Sequence, residues 1–108
     1  MADANRAAPM PVYIDQMKTL PLRLTPGQDL REALEAAVRA QGCQAAFVLS
    51  GIGSLADARI RFAGADEPLR ICGGSEILSL SGTVGVGGPT GDDVGHSHLH
   101  MAIAAATG

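Results

Sequence analysis

A chain of 108 residues with a formal net charge of −3 supports one small domain. Hydrophobic residues make up 46% of it, but two Phe, one Tyr and no Trp leave an aliphatic core and exclude an aromatic platform for stacking single-stranded nucleic acid. The acidic balance argues against a general affinity for polyphosphate, and the longest apolar runs are too short to span a bilayer.

Residues 1–17 hold Asp3, Asn5, Arg6, Pro9 and Pro11, with no apolar region leading to a cleavage site. They read as a flexible N-terminal arm, not a signal peptide, which makes a cytoplasmic, reducing location the default. Lys18 to Leu24 alternates through Leu20, Leu22 and Leu24, the pattern of a half-buried strand, and Pro21 assigns it to a sheet edge. Thr25-Pro26-Gly27-Gln28 has the capping-box arrangement, with Thr as the cap, Pro first and Gln third, and predicts a helix starting there. Leu30, Ala33, Leu34, Ala37 and Val38 form its apolar stripe. Arg31, Glu32, Glu35 and Arg39 take the outer side, with Glu35 and Arg39 as an i,i+4 pair, and Gly42 supplies the left-handed stop.

The continuous apolar run from Ala45 to Leu49 predicts a strand covered on both faces. Ser50 to Ser54 is a bend, and Leu55 to Phe62 alternates as a second strand. A polar turn at Gly64 to Pro68 leads to a short strand at Leu69 to Cys72. A longer strand follows at Glu76 to Val84, with Ile77 and Leu78 breaking its alternation. Gly85 to Gly95 reads as a loop, the next segment as a histidine-bearing strand, and Ala105 to Gly108 as the entry to a turn. One helix followed by strands without helical crossovers implies an α+β domain with a mostly antiparallel sheet and one main amphipathic helix.

Chemistry is sought first in that last strand. The chain's three histidines, His96, His98 and His100, stand at alternate positions, so a strand puts them on one face with Leu99, Met101 and Ile103 on the other. Imidazole is the commonest protein ligand for zinc and related divalent metals. Glu76 heads an otherwise apolar strand, where a carboxylate needs a partner; it is a candidate to orient a ligand histidine or to act as a base. Arg59 and Arg61 share one strand face and are candidate anion contacts, with Asp57 on the same face to neutralise them. Cys43 and Cys72 lack metal-finger spacing and read as small buried thiols. Gly51-Ile52-Gly53-Ser54 is followed by a strand and lacks Gly-Lys-Ser/Thr, so it is a bend and not a phosphate loop.

Taken together, Leu22-Arg23-Leu24-Thr25-Pro26-Gly27-Gln28-Asp29-Leu30, Ala46-Phe47-Val48-Leu49-Ser50-Gly51-Ile52-Gly53-Ser54-Leu55, Glu76-Ile77-Leu78-Ser79-Leu80-Ser81-Gly82-Thr83 and His98-Leu99-His100-Met101 resemble the plants and prokaryotes conserved (PPC) domain. The likeness runs from residue 18 to residue 108. It implies a single α+β domain, here expected to lack its last strands, that assembles as a homotrimer. In plants such domains sit beside AT-hooks in DNA-binding proteins; this chain has no Arg-Gly-Arg-Pro hook. Stand-alone prokaryotic members carry a DNA-binding label, and some resemble metal proteins in which a His-x-His strand is joined by a later Gly-Gly-His block. The matching positions are His98 and His100, with His96 as an extra histidine, and the Gly-Gly-His block does not occur in this sequence. The expected function is a homotrimeric binding and assembly domain, associated with DNA only weakly or through partners, with a histidine metal site. The alternative is a zinc-type metal-dependent enzyme whose histidines activate water with Glu76 as base.

Overall fold

The computed structural model describes residues 17–87 and 96–108. The predicted arm to residue 16 and the centre of the predicted Gly85–Gly95 loop lie outside them. Among the described residues the chain forms one helix, α1 (Leu30–Ala40), and four strands: β1 (Ala45–Val48), β2 (Gly53–Ile60), β3 (Leu69–Gly85) and β4 (His98–Ala105). All pairings are antiparallel and all involve β3. β2 and β4 both pair with β3 at residues 75–77, and β1 and β4 both pair with it at 82–83. β4 therefore holds one edge of β3, while β1 and β2 lie end to end along the other. The α+β class with a mostly antiparallel sheet is as the sequence predicts.

The helix begins later than its capping box implies. Gly27 has φ +91°, a left-handed conformation no helix contains, so Thr25–Gln28 closes a separate turn in which the Thr25 backbone N–H donates to Gln28 Oε1 at 2.7 Å. Asp29 is the true N-cap, its carboxylate accepting from the Glu32 backbone N–H at 2.9 Å. Gly42, at φ +70°, ends the helix as expected. Glu35 pairs with Arg31, at 3.7 Å, and not with Arg39.

α1 covers one face of the sheet. Val38, on the helix, and Ala58, Leu80 and Val84, on the strands, are the four buried hydrophobic residues among those described. Single-sided cover corrects the reading of β1. Val48 turns towards the helix and is half-buried, but Phe47 faces away and keeps 64% of its surface exposed. The predicted strand at Lys18–Leu24 is an extended segment outside every ladder, with Leu20 and Leu22 exposed. Alternation specifies a face but not a partner, and both edges of β3 are already taken.

The two strands predicted over 69–84 are one strand of 17 residues. Gly73-Gly74 reads as an interruption, but Gly73 takes φ +89° and the pair is accommodated as a β-bulge opposite Ala56, between the Leu55–Ser75 and Asp57–Cys72 register pairs. A second irregularity falls between Ile77 and Ser79, where the alternation breaks in sequence; Leu78 stays exposed. Gly82, at φ +132°, lets β4 come close: a Cβ there would fall onto the His98 carbonyl oxygen.

Candidate functional site

The register fixes which face the histidines use. Leu99, Met101 and Ile103 lie beside Gly82, Leu80 and Ile77, on the helix-covered side. His98 lies beside Thr83 and His100 beside Ser81, so both imidazoles stand on the uncovered face and are exposed. Their ring centroids are 4.9 Å apart, tilted by 49°. Phe47 is also registered with Thr83, which places an aromatic ring, a threonine and His98 in one row across three strands.

His96 precedes β4 and continues the hairpin, its backbone N–H donating to the Gly85 carbonyl at 3.0 Å. Among the described residues no three His, Cys, Asp or Glu side chains converge in a metal-holding group. Two neighbouring imidazoles on one strand face fit a transition-metal ion as a pair of donors. The remaining coordination positions would fall to solvent or to another chain.

What holds β4 in place was not readable from local pattern. Ser97, between His96 and His98, turns to the helix side and donates from Oγ to Glu35 Oε2 at 2.8 Å. Its carbonyl accepts from Arg31 Nη2 at 2.7 Å. The Arg31–Glu35 pair thus clips the start of β4 across more than sixty residues of sequence. Locking Ser97 to the helix aims its neighbours at the opposite face. No sequence signal near either partner announces this contact.

Glu76 shares the histidine face but not its neighbourhood. It accepts a hydrogen bond from Ser54 Oγ at 2.8 Å and is registered with Ala104. His100 is four ladder positions from Ala104, roughly 14 Å away along β4 at ~3.4 Å per residue. Within one chain, then, Glu76 satisfies a serine hydroxyl and is out of reach of either imidazole.

The arginines behave differently from their sequence pattern. Asp57 turns to Arg70 across the ladder, with Arg70 Nη2 at 2.9 Å and Nε at 3.2 Å from the same carboxylate oxygen. Those hydrogen bonds, and the charge of Arg70, hold the Asp57 carboxyl below its ordinary range and raise the guanidinium. Arg59 lies directly opposite Arg70, and Arg61 lies just beyond the end of β2, exposed. Among the described residues neither Arg59 nor Arg61 has a carboxylate partner. Cys72, beside Asp57, is exposed on this face, and Cys43 is exposed after the helix; neither is the buried thiol expected. One-sided cover of the sheet explains Cys72.

Comparison with known proteins gives these features a context. Residues 13–108 match the Plants and Prokaryotes Conserved (PCC) domain. The chain is 42% identical over 107 residues, 99% of its length, to the bifunctional protein GlmU of Synechococcus sp. (strain JA-3-3Ab). It is 41% identical over 100 residues, 93% of its length, to GlmU of Synechococcus sp. (strain JA-2-3B'a(2-13)). It spans 16% and 15% of those two proteins. The fold is shared, at TM-score 0.55 and 21% identity, with a "putative DNA binding protein" from Bacteroides thetaiotaomicron, over 70% of this chain and 51% of that one.

Proposed function

The chain belongs to the Plants and Prokaryotes Conserved domain family, and we propose that it works as a self-associating binding module, a homotrimer that joins DNA-bound assemblies and carries a metal site at His98 and His100. One observation carries the reading. The helix covers a single face of the sheet, and the other face leaves Phe47, Leu78 and the two histidines open to solvent. Large apolar side chains left open on an uncovered sheet face support an association site there. The GlmU relatives share with this chain a sixth of their length or less, so what transfers from them is a module and not their activity. The fold relative's description supports an association with DNA. The net charge of −3 assigns the grip on phosphate to partners. No helix among the described residues is long and apolar enough to cross a membrane.

The metal site is supported by the 4.9 Å spacing of the two rings on one exposed strand face. A bound zinc-type ion would cross-link the assembly or polarise a bound group; the pair His98 and His100 would hold it, and Ser97's bonds to the helix would orient them. Elemental analysis of untagged protein, beside a His98→Ala/His100→Ala variant, tests this part: about one equivalent per chain, lost in the variant, is expected, and metal-free wild type after reconstitution overturns it. Sedimentation equilibrium tests assembly: three chain masses support the homotrimer, and a monomer at micromolar concentration removes it. Titration with duplex DNA at low salt tests the third part, with no autonomous binding expected.

A further inference from the structure

The hairpin end of β2 and β3 gathers three arginines around one carboxylate. Arg59 and Arg70 are directly opposite in the ladder, and Asp57 is opposite Cys72, two residues back along β2. Ala58, between Asp57 and Arg59, is buried on the helix-covered side, so both neighbours and Arg70 stand on the other face. Residues directly opposite in an antiparallel pair have Cβ atoms about 4.5–5.5 Å apart, and like charges so placed repel. Arg61, exposed, lies two residues past Arg59, no more than roughly 7 Å along the chain.

Asp57 neutralises one of the three. Its carboxylate accepts from Nε and Nη2 of Arg70, at 3.2 and 2.9 Å to the same oxygen. That grip fixes the Arg70 plane and leaves the Nη1 side of its fork without a bond among the described residues. Arg59 is close enough for its charge to draw the Asp57 carboxyl down as well, yet the two form no ion pair. Asp66 and Glu67, in the turn that joins the strands, pair with none of the three arginines. Three guanidinium groups around one carboxylate leave a surplus of two positive charges. A carboxylate or a single phosphodiester brings one negative charge. A phosphate monoester brings about −1.5 to −2 at neutral pH, on three strong acceptor oxygens. Planar guanidinium forks take such oxygens two at a time.

We infer that Arg59, Arg61 and Arg70 form a binding site for a small phosphate monoester, with Asp57 as the group that orients Arg70. Phosphate oxygens seated between Arg59 and Arg70 bridge two guanidinium groups that the ladder otherwise holds in mutual repulsion. Arg61, on a long flexible stem, reaches the remaining oxygen. Arg70, already held, has less side-chain freedom to lose on binding than an isolated surface arginine. The β2–β3 hairpin alone builds the site, so it depends neither on self-assembly nor on the histidine metal site proposed above. It needs only a local surplus of positive charge, which the chain's net charge of −3 conceals.

Titration with phenyl phosphate at low ionic strength, followed by amide NMR, tests it. Saturable shifts centred on residues 57–61 and 69–72 are expected; inorganic phosphate should move the same residues, and acetate at equal concentration should saturate none of them. Arg59→Gln is expected to weaken binding about tenfold, through loss of its charge-assisted bonds. Arg59→Lys should weaken it nearly as much, because an ammonium keeps the charge but not the fork. Thermal unfolding gives a second reading. Without phosphate, Arg59→Gln should unfold no lower than wild type, since it relieves a like-charge pair. With saturating phenyl phosphate, the wild type should unfold higher than the variant. Shifts that never saturate, or that are the same in Arg59→Gln, reduce the effect to ionic screening and overturn the site. Full affinity in Arg59→Lys overturns the paired fork, and equal binding of acetate overturns the choice of phosphate. Displacement of phenyl phosphate from these residues by duplex DNA assigns the cluster to a polymer backbone and overturns the monoester.

Discussion

Ser75 sets a hydroxyl in the helix-covered layer, where it is 5% exposed and its Oγ has no hydrogen-bond partner among the described residues. A buried hydroxyl left unpaired loses its hydration without compensation, a cost of about 1–3 kcal/mol. Ser75→Ala removes that cost at almost constant volume. The variant is expected to unfold at higher urea, with a gain of about 1 kcal/mol; a loss of similar size would mean that the hydroxyl has a partner. Asp57 shows the opposite situation, a polar group satisfied in full view of solvent. Its carboxyl is held below the ordinary value by Arg70, so the folded state binds a proton less readily than the unfolded state. Any stability from this pair is present above the unfolded carboxylate pKa and fades as pH falls through the lower, folded one. Both groups are exposed, so the gain is small. Arg70→Ala is expected to bring the Asp57 titration, followed by carboxyl NMR, back up to the ordinary range with little change in stability.

At the scale of elements, Gly82 is the residue on which the β3–β4 pairing turns. Its φ of +132° disfavours any L side chain, and an added Cβ would meet the carbonyl of His98 in backbone and not in a flexible side chain. Gly82→Ala is expected to cost upwards of about 2 kcal/mol, within the 1–3 kcal/mol of local backbone strain plus the ladder bonds it displaces. Hydrogen exchange should show β4 amides losing protection before those of β2; uniform loss would mean that the sheet opens as one unit. The sequence pattern announces α1, β2 and β4 because each carries its own period. It misplaces the helix start by one turn, because Thr25 and Gln28 do form their bond but around a left-handed Gly27. It divides β3 because glycine pairs serve turns and bulges alike, and only the partner strand decides which. His98 and His100 are legible as a same-face pair from spacing alone. The Glu35–Ser97–Arg31 clip and the row of Phe47, Thr83 and His98 depend on register between distant segments, which local periodicity does not encode.

For the whole molecule the decisive quantity is how little apolar surface the single chain removes from water. Hydrophobic residues are 46% of the sequence, yet among the described residues Val38, Ala58, Leu80 and Val84 are the buried ones, and no large side chain there is fully enclosed. Phe47, Leu49, Ile52 and Leu78 keep between 64% and 88% of their surface. A side chain such as Phe or Leu contributes about 1.5–3 kcal/mol when fully buried, so four left open forgo an amount comparable to the net stability of a small domain. The ordering entropy of the backbone is the same whether or not those residues are covered. Under the self-association proposed above, a chain with this balance gains stability from its partners, and folding is then linked to concentration by mass action. Thermal unfolding followed over a hundredfold range of protein concentration should show a midpoint that climbs with concentration. Replacing Phe47 with Ser should lower that midpoint most at high concentration, where the open face is covered, and least in dilute solution. A midpoint independent of concentration, with Phe47→Ser equally mild throughout, would mean that the isolated fold is self-sufficient and that its open face is left for a partner other than itself.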